Sequence, residues 1–159
     1  VSRAAALLLA GLAFSGAARG AEPLRFVDLD GTAVALGPPA AGEALVVHYW
    51  ATWCPTCGPE LGALEAAARG CAGSRVRVLA VDVGEPATAV RDYLAERGLA
   101  LPVALDPKGR TWRRDGGREL PANLVWTART REVSTGPRDE AAWRAALAAL
   151  GCSGDAAAR

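Results

Sequence analysis

The segment Trp50-Ala-Thr-Trp-Cys-Pro-Thr-Cys57 constrains the fold more than any other stretch of the chain. An apolar, β-branched run at 44–50 precedes the first cysteine and reads as a buried strand. Most residues from 59 to 69 favour helix, so a helix is expected from about 55 to 69. Cys54 then falls where a strand turns into a helix, with Cys57 one turn further in. A helix N-terminus offers unpaired N–H groups and partial positive charge, which favour thiolate over thiol. Pro55 fits the first helical turn, where its missing N–H has no partner to lose. The three-residue step lets the second sulfur reach the first. In a strand–helix setting this spacing signals redox exchange.

A zinc site would need two further ligands at matching spacing. There is no second Cys-x-x-Cys and His48 is the sole histidine, so neither a metal nor a cofactor is expected. A purely structural disulfide is disfavoured as well, because so short a loop removes little unfolded-state entropy.

At 159 residues the chain suits one domain with a proper core. The formal charge is +1 and the cations are scattered, which excludes a nucleic-acid footprint. Four cysteines fit an oxidising compartment if two of them staple the fold. Arg3 is followed by an apolar run to Phe14, too short to span a bilayer comfortably, and Ala18 and Gly20 stand at −3 and −1 of a cut before Ala21. This layout predicts a secretory signal peptide over 1–20 and a periplasmic or otherwise exported protein, with an uncleaved anchor as the alternative. Removing Arg3 and Arg19 takes the charge from +1 to −1. The domain is expected at 21–152, followed by a disordered tail at 153–159.

Along the chain, two short apolar runs around Asp30-Gly31 predict a hairpin over 24–36. Gly70 is expected to cap the helix that follows the cysteine pair. A strand at 75–83, a helix at 86–97 closed by Gly98, a short strand at 101–105 and a turn at 106–109 come next. Irregular chain leads to Leu120-Pro121, a strand at 122–126, a partner strand at 131–135 and a last helix at 139–150 with Trp143, Leu147 and Leu150 inward. Strands alternating with helices, then a terminal hairpin and helix, predict an α/β sheet with a mixed edge.

With these elements placed, the chain resembles the thioredoxin fold, and more narrowly the secreted thiol–disulfide reductases of the TlpA, ResA and CcmG type. The octapeptide, Glu60 three residues after Cys57, the leading hairpin and Leu120-Pro121 before a strand carry the likeness. The resemblance implies a central mixed sheet flanked by helices with an N-terminal β-hairpin extension. It makes Cys54 the attacking thiolate and Cys57 the resolving thiol of a redox-active disulfide. Trp53, Pro55, Leu120 and Pro121 would meet the substrate, with Trp50 joining Trp53 in an apolar rim. Read from the residues alone, Leu-Pro entering a strand fits a trans edge position as well as a cis one; the resemblance implies cis.

His48 stands where thioredoxins carry a buried aspartate and the TlpA group often has asparagine. It reads either as a neutral core histidine or as a base for the Cys57 proton. Glu60 competes for the same role, its alternative being an acid that only steadies the helix N-terminus. Gly58 lacks the basic residue usual in the family, and Pro59 lies inside the expected helix, where it would remove a backbone bond and bend the first turns. In this fold Cys71 and Cys152 would follow two helices on one face and form a structural disulfide, closing a loop of about 80 residues worth roughly 4–5 kcal/mol, with two free thiols, which an oxidising compartment disfavours, as the alternative.

The function expected from these readings is reduction of protein disulfides by an exported monomer. A membrane protein would supply the electrons, and apocytochrome c is the partner the family suggests. A disulfide oxidant or isomerase, and a copper-binding module without turnover, are the alternatives.

Overall fold

The computed structural model describes residues 22–152, so the expected leader and tail lie outside the described residues. The strands are β1 (Leu24–Val27), β2 (Ala33–Leu36), β3 (Ala44–Trp50), β4 (Val76–Val83), β5 (Val103–Asp106), β6 (Ala122–Thr127) and β7 (Arg131–Thr135). The helices are α1 (Cys57–Ala68), α2 (Ala87–Arg97), α3 (Arg110–Arg114) and α4 (Glu140–Ala149). The seven strands form one mixed sheet in the order β2-β1-β5-β4-β3-β6-β7. β3 runs parallel to β4, and β4 to β5, while β6 lies antiparallel on the other side of β3.

The position of β3 follows from its composition. All seven of its residues are buried, as an unbroken apolar run requires of a central strand. Its side chains alternate: Val46 and Trp50 join the cluster with Leu61, Leu64, Val90 and Trp143 of α1, α2 and α4. Leu45, Val47 and Tyr49 point to the opposite face, with Phe26, Leu124 and Trp126. There Phe26 meets Tyr49 edge-on at 6.3 Å, and the Thr111 hydroxyl of α3 donates to the Arg25 carbonyl at 2.8 Å.

The expected mixed sheet, leading hairpin and flanking helices are all present. In the hairpin turn, Asp28 Oδ1 accepts the N–H groups of Asp30 and Thr32 at 2.9 and 2.8 Å. Gly98 closes α2 at φ 61°, with its N–H donating to the Ala95 and Leu94 carbonyls.

Several local expectations need correction. α1 begins at Cys57 rather than near residue 55, with Thr56 at its N-cap position. Pro55 therefore lies in the turn before the helix. Pro59 is the third helical residue, where no intrahelical N–H bond is owed, so the expected loss does not arise. Gly70 does not cap α1, because a 3-10 turn (Arg69–Cys71) carries the chain through it. The stretch expected to be irregular before Leu120 contains α3, whose first turn is held by Asp106: its carboxylate accepts the N–H groups of Arg110 and Trp112, both at 2.9 Å. Leu101 and Pro102 fall outside β5.

Candidate active site

β3 delivers residues 50–57 at its C-terminal end, the side of a parallel sheet on which α/β proteins place their sites. The Cys54 N–H donates to the Ala51 carbonyl and the Cys57 N–H to the Cys54 carbonyl, both at 3.2 Å, so one continuous turn leads into α1. Cys54 and Cys57 are joined as a disulfide with their Cα atoms 5.4 Å apart. Cys57 is therefore the first helical residue and Cys54 the residue of the approach, a shift from the expected placement. The pair sits at the N-terminal end of α1, the end at which partial positive charge gathers. Cys57 is fully buried and Cys54 is 5% exposed.

The residues just before the pair are tied to the neighbouring strand. Glu85, in the β4–α2 connection, accepts the Thr52 N–H at 2.6 Å and its hydroxyl at 2.5 Å. Asp82, at the end of β4 and opposite Trp50 in register, accepts the Glu85 N–H at 3.1 Å. Burial, and then the hydrogen bond and charge of Glu85, push the Asp82 carboxyl up to about 8.

Trp53 is the one large hydrophobic side chain left exposed among the described residues, at 66%. Trp50 is fully buried, so it contributes nothing to a docking rim. Its indole packs against Tyr93 of α2 with centroids 5.3 Å apart. The peptide bond between Leu120 and Pro121 is cis. β6 starts at Ala122, opposite Tyr49 at the same end of β3, so this bond emerges beside the cysteine segment. Leu120 packs against the cluster that contains Cys54 and Cys57. An open cleft of about 560 Å³ runs between Pro55, Thr56, Pro59 and Glu60 on one side and Pro137, Arg138, Asp139 and Glu140 on the other.

Beneath the pair lies a buried polar chain. His48 and Asn123 face each other in the β3–β6 register, with His48 Nδ1 2.7 Å from Asn123 Oδ1. The Asn123 amide N–H₂ donates to Glu60 Oε1 at 3.4 Å, and His48 Nδ1 lies 3.6 Å from the same oxygen. Burial pulls His48 down from 6.5 to about 4, against the raising effect of Asn123 and with a lowering contribution from the Arg138 charge. Glu60 is pushed up from 4.5 to about 7 by burial, opposed by Asn123, Arg138 and Trp143. The imidazole is thus neutral at pH 7, while the carboxyl titrates there. Glu60 lies one helical turn beyond Cys57, on the same side of α1.

Cys71 and Cys152 form a second disulfide across 81 residues. Cys71 ends the 3-10 turn after α1, and Cys152 follows Gly151 at the end of α4. The pair therefore lies at the far end of α1 from Cys54.

The model of the Redoxin family matches residues 14–134. The chain belongs to the Redoxin family. Among curated proteins, this Redoxin chain is 30% identical over 108 residues to the thiol-disulfide oxidoreductase ResA of Bacillus thuringiensis strain Al Hakam, covering 67% of this chain and 62% of that protein. It is 27% identical over 108 residues to ResA of Halalkalibacterium halodurans, covering 67% and 61%. The chain thus spans about three fifths of the length of these relatives. Among solved structures, a thioredoxin-family thiol:disulfide interchange protein from Chlorobium tepidum TLS aligns with a TM-score of 0.65 at 26% identity, over 83% of this chain and 96% of that one. StoA from Bacillus subtilis aligns with a TM-score of 0.65 at 19% identity, over 77% and 94%. These likenesses establish the thioredoxin-like fold.

The cysteines, His48, Glu60 and the Leu120-Pro121 step are marked in the sequence, whereas Asn123, Asp82 and Glu85 stand in no motif. The available signal was a lone polar residue within an apolar strand, as in Ala122-Asn-Leu and Val81-Asp-Val.

Proposed function

We propose that this chain is an exported thiol–disulfide oxidoreductase that mainly reduces protein disulfides. The observation that carries the reading is the Cys54–Cys57 disulfide at the mouth of α1, with its outer sulfur the more accessible and the Glu60 carboxyl one turn behind its inner sulfur. In the reduced protein Cys54 is the thiolate. It attacks one sulfur of a substrate disulfide, the substrate S–S bond breaks, and the departing sulfur leaves as a thiolate. Cys57 then gives up its proton, attacks Cys54 and releases the second substrate sulfur. Two electrons pass to the substrate and the Cys54–Cys57 bond returns. A membrane protein re-reduces the pair.

Glu60 is the better acceptor for the Cys57 proton, because a carboxyl near 7 can take up and release a proton at neutral pH. A histidine held near 4 stays neutral and binds a proton too weakly. Exposed Trp53, with Pro55 and the backbone at Leu120 and Pro121, offers the surface on which an extended substrate segment lies. The disulfide form of apocytochrome c is the substrate that the family likeness suggests. The leader read over 1–20 and the two disulfides both suit an oxidising compartment.

Equilibration of the pair against dithiothreitol tests the direction. A reducing poise supports the reading, and a strongly oxidising one makes the protein an oxidant instead. Trapping with Cys57→Ser in the exporting cell then yields the substrate as a mixed disulfide on Cys54.

A further inference from the structure

The acceptor assigned to the Cys57 proton is itself held by a residue that no sequence motif marks. We propose that Asn123 is a positioning residue for the resolving step: anchored by the His48 imidazole, its amide fixes one oxygen of Glu60 and leaves the other free to receive the Cys57 proton. The inference rests on the oxidoreductase reading above and deepens it.

The geometry is restrictive. Asn123 Oδ1 is an acceptor only, so the His48 nitrogen 2.7 Å away must be the one bearing hydrogen. The proton of a neutral ring then sits on Nδ1, and the amide N–H₂ faces Glu60 Oε1. That orientation suits Glu60 as a carboxylate, an acceptor. Glu60 Oε2 is buried and no donor reaches it in full hydrogen-bond geometry, although the Arg138 backbone N–H and the Trp143 indole N–H approach the carboxyl and favour its charged form. An unpartnered carboxylate oxygen in such surroundings binds a proton readily. His48 Nε2 is likewise without a partner, but the ring is held neutral by burial and by Arg138. So the imidazole works as an anchor, and the carboxylate takes the proton.

The groups that face this chain come from every element packed around it. β3 supplies His48, β6 supplies Asn123, and α1 supplies Cys57 and Glu60. The β7–α4 connection brings Arg138, whose charge favours the Glu60 carboxylate, and Asp139, while α4 brings Glu140 across the same cleft. α4 brings Trp143, which meets the His48 ring edge-on at 6.0 Å and lies 4.9 Å beneath the Arg138 guanidinium. In the step itself the Cys57 S–H bond breaks, its proton passes to Glu60 Oε2 and its electron pair stays on sulfur. That thiolate attacks Cys54, and the Cys54–substrate bond breaks with its electrons leaving on the substrate sulfur.

The test follows the Glu60 carboxyl by carbon NMR titration in the oxidised protein, together with the pH profile of mixed-disulfide resolution. Both are measured for the natural chain, for Asn123→Leu and for the smaller Asn123→Ala, with near-ultraviolet circular dichroism confirming native packing. Loss of the amide donor should move the Glu60 midpoint upward from about 7. The profile should move alkaline by the same amount, slowing resolution at lower pH by about tenfold per unit. His48→Gln, which weakens the anchor, should move both in the same direction by less. A Glu60 midpoint that stays put in the folded variants overturns the role of Asn123, even if the natural chain resolves mixed disulfides normally. A natural chain that resolves none overturns the oxidoreductase reading instead.

Discussion

Gly58 and Tyr93 compete for one space: a Cβ placed on Gly58 would overlap the Tyr93 hydroxyl, while the carbon bearing that hydroxyl sits at an ordinary 3.6 Å. The missing side chain at the second position of α1 lets α2 lay an aromatic ring over the redox turn. Arg97 then stacks on that ring 3.6 Å from its centroid. Arg97 Nε lies 3.9 Å from the place a Cβ on Gly58 would take, so α2 brings a cation close to that position. Gly58→Ala should destabilise the protein by about 1–3 kcal/mol through overpacking, despite the better helix propensity of alanine. In a Tyr93→Phe background the penalty should vanish. Urea unfolding of the four proteins of the cycle measures the coupling, and equal effects of Gly58→Ala in both backgrounds would refute it.

Reduction should expose one thiol before the other. Cys57 is fully buried and Cys54 slightly exposed, so mild reduction followed by iodoacetamide should label Cys54 first. Peptide mapping over time checks this, and it also shows whether Cys71 and Cys152 stay unlabelled until the chain is denatured.

Glu60→Gln should remove the limb near pH 7 from the resolving step. Glu60 is protonated below about 7 and cannot then accept a proton. In the natural chain the rate should accordingly fall as pH drops through that value. With glutamine the step should be slow and nearly flat across the same range. Stopped-flow resolution of a mixed disulfide on Cys54 gives both profiles.

Stability should depend on pH through Asp82. Its carboxyl titrates at about 8 when folded and at 3.8 ordinarily. Between those values the folded protein keeps a proton that the unfolded chain has released, so stability is greatest at the acid end and falls as pH rises to about 8. Glu60 acts with the same sign up to about 7. His48 acts oppositely between about 4 and 6.5, where only the unfolded chain takes up its proton. The Asp82 decline should therefore stand out between about 7 and 8, and Asp82→Asn should abolish it. Urea midpoints across that window decide the matter.

Replacing Cys71 and Cys152 together by serine should lower the unfolding free energy by roughly 4–5 kcal/mol, from restored loop entropy alone. Exchange at Cys54 should persist in the folded fraction. Denaturation of the doubly substituted protein, followed by an exchange assay, checks both parts.

The sheet was legible because β3 is apolar from Ala44 to Trp50 save one histidine, and because Gly98 and Gly151 mark helix ends at positive φ. α3 was not legible. Its five residues are mostly arginine, with no apolar periodicity, and it owes its form to the Asp106 carboxylate at its start. The start of α1 was misplaced because proline is at home in either a turn or a first helical turn, and the sequence does not choose between them. At the site, chemistry that sits in one short motif was visible. The Asn123 and Asp82 contacts were not, because each depends on which strands lie side by side.

Two sulfur bridges bracket α1, one just before its first turn and the other beyond its last. Were the first bond to part, the second would still tie the end of the helix to the end of α4. In the proposed cycle an electron donor and an acceptor would thus meet the same scaffold, told apart by a small patch around residues 53–57. Any discrimination between loaded and spent forms has to be read from that patch.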